Sequence, residues 1–179
     1  MADLFSIVVP VFFLFPLQFY TDLALLQRES LKHDVRVRRI LDHIWAATDR
    51  DGSGTIDKEE YIIMCKKVYR AIVDDTDSPQ ADAEILKIAE EDWDADRQGH
   101  DHLDYERFTR AWFQLADHWT HDLSADSYET FLSNIFTTLT ERDKNGNIVW
   151  RDDKNVSFFL AKLGSEEGLS LPNPQIWPE

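Results

Sequence analysis

A stretch of twelve residues in the first third of the chain carries oxygen-bearing side chains at alternate positions. Its sequence, from Asp49 to Glu60, is DRDGSGTIDKEE. In a tightly turning chain, Asp49, Asp51 and Ser53 can direct successive oxygens at one point, and Gly54 permits the turn because glycine adopts positive φ at little cost. Carboxylate, hydroxyl and carbonyl oxygens are the ligands of hard divalent cations. The stretch therefore predicts a binding site for such a cation.

The same stretch resembles the loop of an EF-hand, a helix-loop-helix unit that binds calcium, at every position of the pattern D-x-[DN]-x-[DNS]-G-x-[ILV]-x-x-x-E. The ligands that this resemblance implies are the side chains of Asp49, Asp51 and Ser53, the backbone carbonyl of Thr55, Asp57 directly or through water, and both carboxylate oxygens of Glu60. It also implies that Ile56 points away from the ion and pairs with the same position of a second loop. The alternative interpretation is a solvated turn between two helices.

Helical periodicity flanks this loop and continues along the chain. Apolar residues recur every three or four positions, which predicts helices rather than strands. The six apolar stripes cover residues 37–45, 61–72, 85–93, 108–115, 128–139 and 156–163. A further helix is expected around residues 23–31. The predicted fold class is all-α, with EF-hand helix-loop-helix pairs, about six to seven helices and short β-bridges between paired loops.

A second loop, at about residues 92–107, departs from the pattern of the first. It begins with three alternating acids, the first of them Asp92, but Arg97 stands where the glycine belongs. When the loop is aligned on Leu103 as the apolar position, Arg107 falls where the closing acid should lie, and it would repel an ion. We expect a lengthened, degenerate loop whose role is to pair with the first one.

A third loop, at residues 141–152, keeps only the centre of the pattern, DKNGN followed by isoleucine. Its opening residue is a glutamate, and its closing aspartate is one methylene shorter than the usual glutamate. Weak calcium binding, a preference for magnesium and no ion are all compatible with these changes. The candidate ligands are Glu141, Asp143, Asn145, Asn147 and Asp152. Because EF-hands occur in pairs, this unpaired unit needs support from the C-terminal tail, the N-terminal segment, the helix at 23–31 or a second chain.

Other kinds of site have weaker support. His100 and His102 lie beside acids in the second loop and could hold a transition metal, although two histidines in a polar loop more often face solvent. The chain contains no nucleophile elbow, phosphate-binding loop or paired histidines of a zinc helix, so we expect that it is not an enzyme. Its single cysteine, Cys65, excludes an internal disulfide and a four-cysteine zinc site, and it is compatible with a reducing compartment.

Charge and composition narrow the partners. The 179 residues include 34 acidic and 19 basic side chains, which gives a net charge of −15. Such a chain repels a nucleic-acid backbone and concentrates cations instead. Only two methionines are present, which disfavours a Met-rich binding groove of the calmodulin type. The six tryptophans and eleven phenylalanines indicate a rigid aromatic core or an interface for one specific protein partner.

The two ends of the chain differ from the body. Residues 4–20 are almost wholly apolar but contain two prolines, so they could be a signal peptide, a membrane anchor, an apolar arm packed on the body, or a stretch that the mature protein lacks. The predicted division is an N-terminal segment at 1–21, an EF-hand pair at 22–117, a third EF-hand at 118–164 and an irregular tail at 165–179. A cytoplasmic protein is expected, or a secreted or membrane-associated one if residues 4–20 are a signal or an anchor.

The resemblance implies a calcium-binding protein that acts as a sensor or a buffer without catalysis. The chain is similar in length, and in having degenerate EF-hand units, to the sarcoplasmic calcium-binding proteins and the calexcitin-like proteins. The alternative is a scaffold of EF-hand units whose binding to a partner is largely independent of calcium. The intact loop at 49–60 favours the first function, and the two altered loops favour the second.

Overall fold

A computed structural model describes residues 21–72, 79–120 and 122–156 of the chain. The described residues are mostly helical, with one small antiparallel sheet, so the predicted all-α class is confirmed at that level. The elements in chain order are α1 (Asp22–Leu31), α2 (Val35–Thr48), α3 (Lys58–Ile72), α4 (Pro79–Asp96), α5 (Tyr105–Trp119), α6 (Ala125–Leu139), β1 (Thr140–Arg142), β2 (Ile148–Trp150) and a short 3-10 helix (Asp153–Asn155). The predicted helix at 156–163, the tail at 165–179 and the apolar segment at 4–20 lie almost entirely outside the described residues.

Capping side chains explain where four of the helices begin. Each cap precedes the first helical residue, and its oxygen accepts a hydrogen bond from a backbone N–H that has no partner within the helix. The caps are Thr21 before α1, Asp34 before α2, Asp104 before α5 and Ser124 before α6. None of the helices in the described parts of the chain is both long enough and apolar enough to cross a membrane.

A single hydrophobic core collects residues from all six described helices and from the loop between α2 and α3. Its largest fully buried side chains are aromatic, and they include Tyr61, Phe108 and Tyr128. Trp45 on α2 packs edge-on against Tyr105 and Phe108 of α5, with ring centroids 5.3 Å away in both cases. The predicted aromatic core is therefore present, and it ties the helix before the first loop to the helix after the second.

The helix α6 is supported by the body of the protein. It packs mainly on α2, and also on α3 and α5. Arg36 of α2 donates to Asp126 at the start of α6, and the Tyr128 hydroxyl donates to Asp117 of α5. Burial, followed by this hydrogen bond, raises the pKa of Tyr128. The third predicted unit is thus supported by helices of the first two units. These helices were not among the supports expected from the sequence.

The third predicted loop is folded into a β-hairpin. Strands β1 and β2 are antiparallel, with Thr140 opposite Trp150. The predicted β-bridges joined different loops, whereas here two strands close one loop on itself. The turn forms because Gly146 adopts a φ of +86° and its N–H donates to the Asp143 carbonyl at 2.9 Å. Residues that fit a metal-binding loop also fit a tight turn between strands.

Candidate metal centre

The first loop brings three of the predicted ligands together. Asp49 follows α2 directly, Asp51 lies in the turn, and Glu60 is the third residue of α3. Each offers one carboxylate oxygen, and these three oxygens lie within 4.8 Å of one another. No other cluster of three or more histidine, cysteine or acidic side chains with this geometry occurs in the portions of the chain that the structure describes.

Backbone hydrogen bonds from the turn orient two of these carboxylates. The Gly54 N–H donates to Asp49 Oδ2 at 3.1 Å, and the Ser53 N–H donates to Asp51 Oδ1 at 2.9 Å. The bond from Ser53 is the main reason why the pKa of Asp51 is lowered, which favours its charged form. Gly54 has a φ of +78°, a backbone conformation that residues with a Cβ rarely adopt.

Glu60 is held in place by the backbone on both sides of the loop. Its side chain is buried. Oε1 accepts from the Arg50 N–H at 2.7 Å, and Oε2 accepts from the Asp57 N–H at 3.3 Å. The Glu60 N–H in turn donates to Asp57 Oδ1 at 2.9 Å, which completes a reciprocal capping box at the start of α3. The carboxylate is therefore preorganised at the mouth of the loop.

Asp49, one of the three residues of the cluster, carries an unsatisfied oxygen. Its Oδ1 is buried and has no hydrogen-bond partner among the described residues. A buried acceptor without a partner is costly, and the cost is greater when the group is charged. The nearest carboxylates, those of Asp51 and Glu60, repel it. A bound cation would both satisfy this oxygen and offset the repulsion, so the cluster fits a metal ion.

The other three predicted ligands lie in the same loop with their oxygens bonded locally. The Ser53 hydroxyl donates to the Thr55 carbonyl at 2.9 Å. Asp57 accepts from the Glu60 N–H, as described above. Both the hydroxyl and the carbonyl are exposed or half-exposed, and each oxygen has a second lone pair. Their present hydrogen bonds shape the loop without excluding a role as ligands.

The first loop pairs with the second through one antiparallel β-bridge. The Ile56 N–H donates to the Leu103 carbonyl, and the Leu103 N–H donates to the Ile56 carbonyl, both at 2.9 Å. The two side chains are fully buried. A bridge at Ile56 was predicted, and the structure identifies Leu103 as its partner. This pairing also fixes the alignment of the loops, in which Arg107 corresponds to Glu60.

The second loop gathers no ligand set of its own. His100 and His102 are exposed, and His100 Nε2 lies 2.8 Å from Arg107 Nη2. No third ligating side chain joins the two histidines within the described ranges. In the alignment fixed by the bridge, Asp96 corresponds to Asp49, and it accepts a hydrogen bond from the Tyr61 hydroxyl at 2.6 Å. No local pattern predicts this contact, because its two partners are 35 positions apart in the chain.

In the third loop, the candidate ligands Asp143, Glu141 and Asp152 take part in hydrogen bonds of the turn or lie beside basic side chains. Asp143 Oδ1 accepts from the N–H groups of Asn145 and Asn147, at 2.8 and 2.9 Å. The bond from Asn147 is the main reason why the pKa of Asp143 is lowered. The end residues face cations, with Glu141 Oε2 3.5 Å from Arg151 Nη1 and Asp152 Oδ2 3.8 Å from Lys154 Nζ. The three carboxylates of this loop do not form a cluster like that of the first loop.

Comparison with protein-family models finds no match for the chain. Comparisons with curated proteins and with solved structures find none either. The function is therefore argued from the geometry of the first loop and from the pattern of its residues.

Proposed function

We propose that the protein binds one calcium ion in the loop from Asp49 to Glu60, as an EF-hand protein without catalytic activity. The observations that carry this proposal are the three carboxylates that each place an oxygen within 4.8 Å of the others, and the buried, unpartnered Oδ1 of one of them, Asp49. The pattern of the loop supplies the remaining ligands, the hydroxyl of Ser53 and the carbonyl of Thr55. Asp57 would bind directly or hold a water molecule.

The number and type of these ligands favour calcium over magnesium. The loop offers oxygens from six residues, and Glu60 can contribute two of them, which suits the six to eight ligands of calcium. Magnesium requires a tighter octahedron and retains several of its waters. The third loop is not included in the proposed site, because its three carboxylates do not come together as those of the first loop do.

A second candidate function is an interaction scaffold that works without calcium. The observation that favours it is the internal bonding of the other two loops, in which Arg107 contacts Asp104 and Asp143 accepts from the backbone of its own turn. Loops of this kind keep their shape without an ion. The partner in either case would be one specific protein, and the net charge of −15 argues against nucleic acid.

The test is a calorimetric titration with Ca²⁺ in the presence of about millimolar Mg²⁺, the cellular competitor. The wild type is compared with Glu60→Gln, which keeps the size of the side chain and one of its two acceptor oxygens. Glu59→Gln is the matched control, because Glu59 is exposed in the same turn of α3 and does not belong to the cluster of ligands. We expect one site in the wild type and in the control, and its loss in Glu60→Gln. No heat of binding in the wild type would leave the scaffold function as the better explanation.

A further inference from the structure

The two paired loops share a β-bridge and a helix cap, but they carry opposite charges at the closing position. The residue after each bridge position, Asp57 or Asp104, caps the next helix. In the first loop the Glu60 N–H donates to Asp57 Oδ1 at 2.9 Å, and in the second the Arg107 N–H donates to Asp104 Oδ1 at 2.9 Å. Arg107 therefore occupies the position of the closing acid, with opposite charge.

The guanidinium of Arg107 binds a carboxylate and an imidazole, two groups that could otherwise ligate a metal ion. Its Nη1 lies 2.5 Å from Asp104 Oδ2, and its Nη2 lies 2.8 Å from His100 Nε2. Because a guanidinium can only donate, the imidazole nitrogen of His100 is the acceptor. The Arg107 side chain is 19% exposed, so solvent competes only in part for these bonds. Hydrogen bonds from an ionised donor are about twice as strong as those between neutral groups.

A second arginine completes the bonding of this loop. Arg97 Nη1 donates to the His100 carbonyl at 3.1 Å, and Arg97 Nε donates to Asp94 Oδ1 at 2.8 Å. The two guanidinium groups thus connect the end of α4, the middle of the loop and the start of α5. His100 lies between them and is bound by both, through its carbonyl and through its ring.

We propose that Arg107, assisted by Arg97, is the built-in cation of the second loop, and that it holds Leu103 in position to pair with Ile56 whether or not calcium is present. The proposal rests on the proposed function, since its purpose is to order the partner of the calcium loop. Arg107 is then a positioning residue for the site at 49–60, and it acts through the β-bridge.

This arrangement has a consequence for binding. A loop whose partner is already ordered loses less conformational freedom when the ion binds, and its affinity is correspondingly higher. The second loop takes no ion, so the calcium isotherm has a single step. The coupling is reciprocal, and calcium in the first loop will stabilise the bonds of the second by the same factor.

The experiment compares the full-length wild type with Arg107→Met, Arg107→Lys and the control Arg110→Met. Arg110 is exposed on the same helix and lies outside the loop. The first readout is hydrogen exchange of the Leu103 amide in chelator, and the second is the calcium association constant. We expect Arg107→Met to speed the exchange and to weaken calcium association, each by about tenfold, which is within the usual range of coupling between sites. Arg107→Lys keeps the positive charge but loses the planar guanidinium with its two donating ends. Its exchange rate and its calcium association constant should both fall between those of Arg107→Met and the wild type.

The two readouts separate the two proposals. If the Leu103 amide exchanges equally fast in the wild type, Arg107→Met and Arg107→Lys, Arg107 does not hold the loop and the inference is overturned. If exchange accelerates but the calcium constant is unchanged, the coupling through the bridge is refuted. If the wild type binds no calcium, the proposed function fails, and the exchange data alone decide whether Arg107 orders the loop. Should Arg107→Met not fold, the comparison of Arg107→Lys with Arg110→Met decides the same question.

Discussion

Replacing Asp49 by asparagine should stabilise the protein in chelator and destabilise it, relative to the wild type, in calcium. In the wild type, Asp49 and Glu60 present carboxylate oxygens within 4.8 Å of each other. At that separation, two unit charges repel by about 1 kcal/mol in water and by about 3 kcal/mol at an effective dielectric constant of about 20. Asparagine removes this repulsion, keeps an acceptor for the Gly54 N–H, and turns an amide donor towards the remaining carboxylates. We therefore expect a gain of about 1 to 3 kcal/mol without calcium.

In calcium the order of the two proteins should reverse. An ion that binds only the folded state stabilises it by about 4.1 kcal/mol at a free concentration of 1,000 times its dissociation constant, which exceeds the advantage of the variant in chelator. For a chain of this size, each kcal/mol raises Tm by about 2–4 °C. The wild type should therefore gain about 8–16 °C on moving from chelator to this concentration of calcium, whereas Asp49→Asn should gain far less.

Thermal unfolding followed by circular dichroism, in both buffers, measures these differences. The control is Asp101→Asn, which makes the same change of charge at an exposed position of the second loop. The reasoning would be refuted if Asp49→Asn were less stable than the wild type in chelator and calcium moved neither protein. In that case Asp49 would be only a residue of a solvated turn.

Three further predictions concern other parts of the molecule. Gly54→Ala should lower stability by about 1–2 kcal/mol in chelator, because an added Cβ meets no atom within 4 Å and only the φ of +78° is strained; chemical denaturation measures it. Cys65 should resist thiol reagents at pH 8 until the protein unfolds, because burial raises the pKa of its thiol; labelling followed by mass spectrometry tests this, and fast labelling of the native protein would contradict it. Asp153→Ala removes the acceptor of the buried Lys67, 2.5 Å away, and should cost about 1–2 kcal/mol, less than at a buried pair because Asp153 is 37% exposed. Burial opposes ionisation of Asp153, but Lys67 lowers its pKa below the usual 3.8, so this cost should be full above pH 3.8 and should fade as the pH drops through the lower folded value; urea titrations at several pH values follow it.

The parts of the protein that sequence could predict are those set by local residues. The loop at 49–60 contains its own turn, cap and acids within twelve positions, so its pattern sufficed to predict the clustering of Asp49, Asp51 and Glu60. The helices from Val35 to Leu139 followed from apolar spacing, and their starts were shifted outwards by caps such as Asp34. Ile56 was expected to pair because of its position in the pattern.

The parts that sequence could not predict depend on distant contacts or on residues that suit two structures. The hairpin was missed because its strands are only three residues long, and one of them, Thr140–Arg142, has no apolar alternation. Asp143 and Gly146 serve a turn as readily as a metal loop. The packing of α6 on α2 joins residues far apart in the chain, and the pair Arg36–Asp126 spans 90 positions. The pair Arg28–Asp117, which joins α1 to α5, spans 89. No local pattern encodes such contacts.

The packing of α2 and α3 limits where this chain could be divided into fragments that still fold. These two helices flank the loop at 49–60, yet α2 packs mainly on α6 and α3 mainly on α4, and the two helices touch each other only slightly. A fragment that ended at residue 117 would keep the whole first loop but would uncover the apolar side of α2, and exposed surface of that kind promotes aggregation. The loop and its two helices therefore do not form an independent unit. Grafted alone into another protein, they would lack α4 and α6, the neighbours on which α3 and α2 pack.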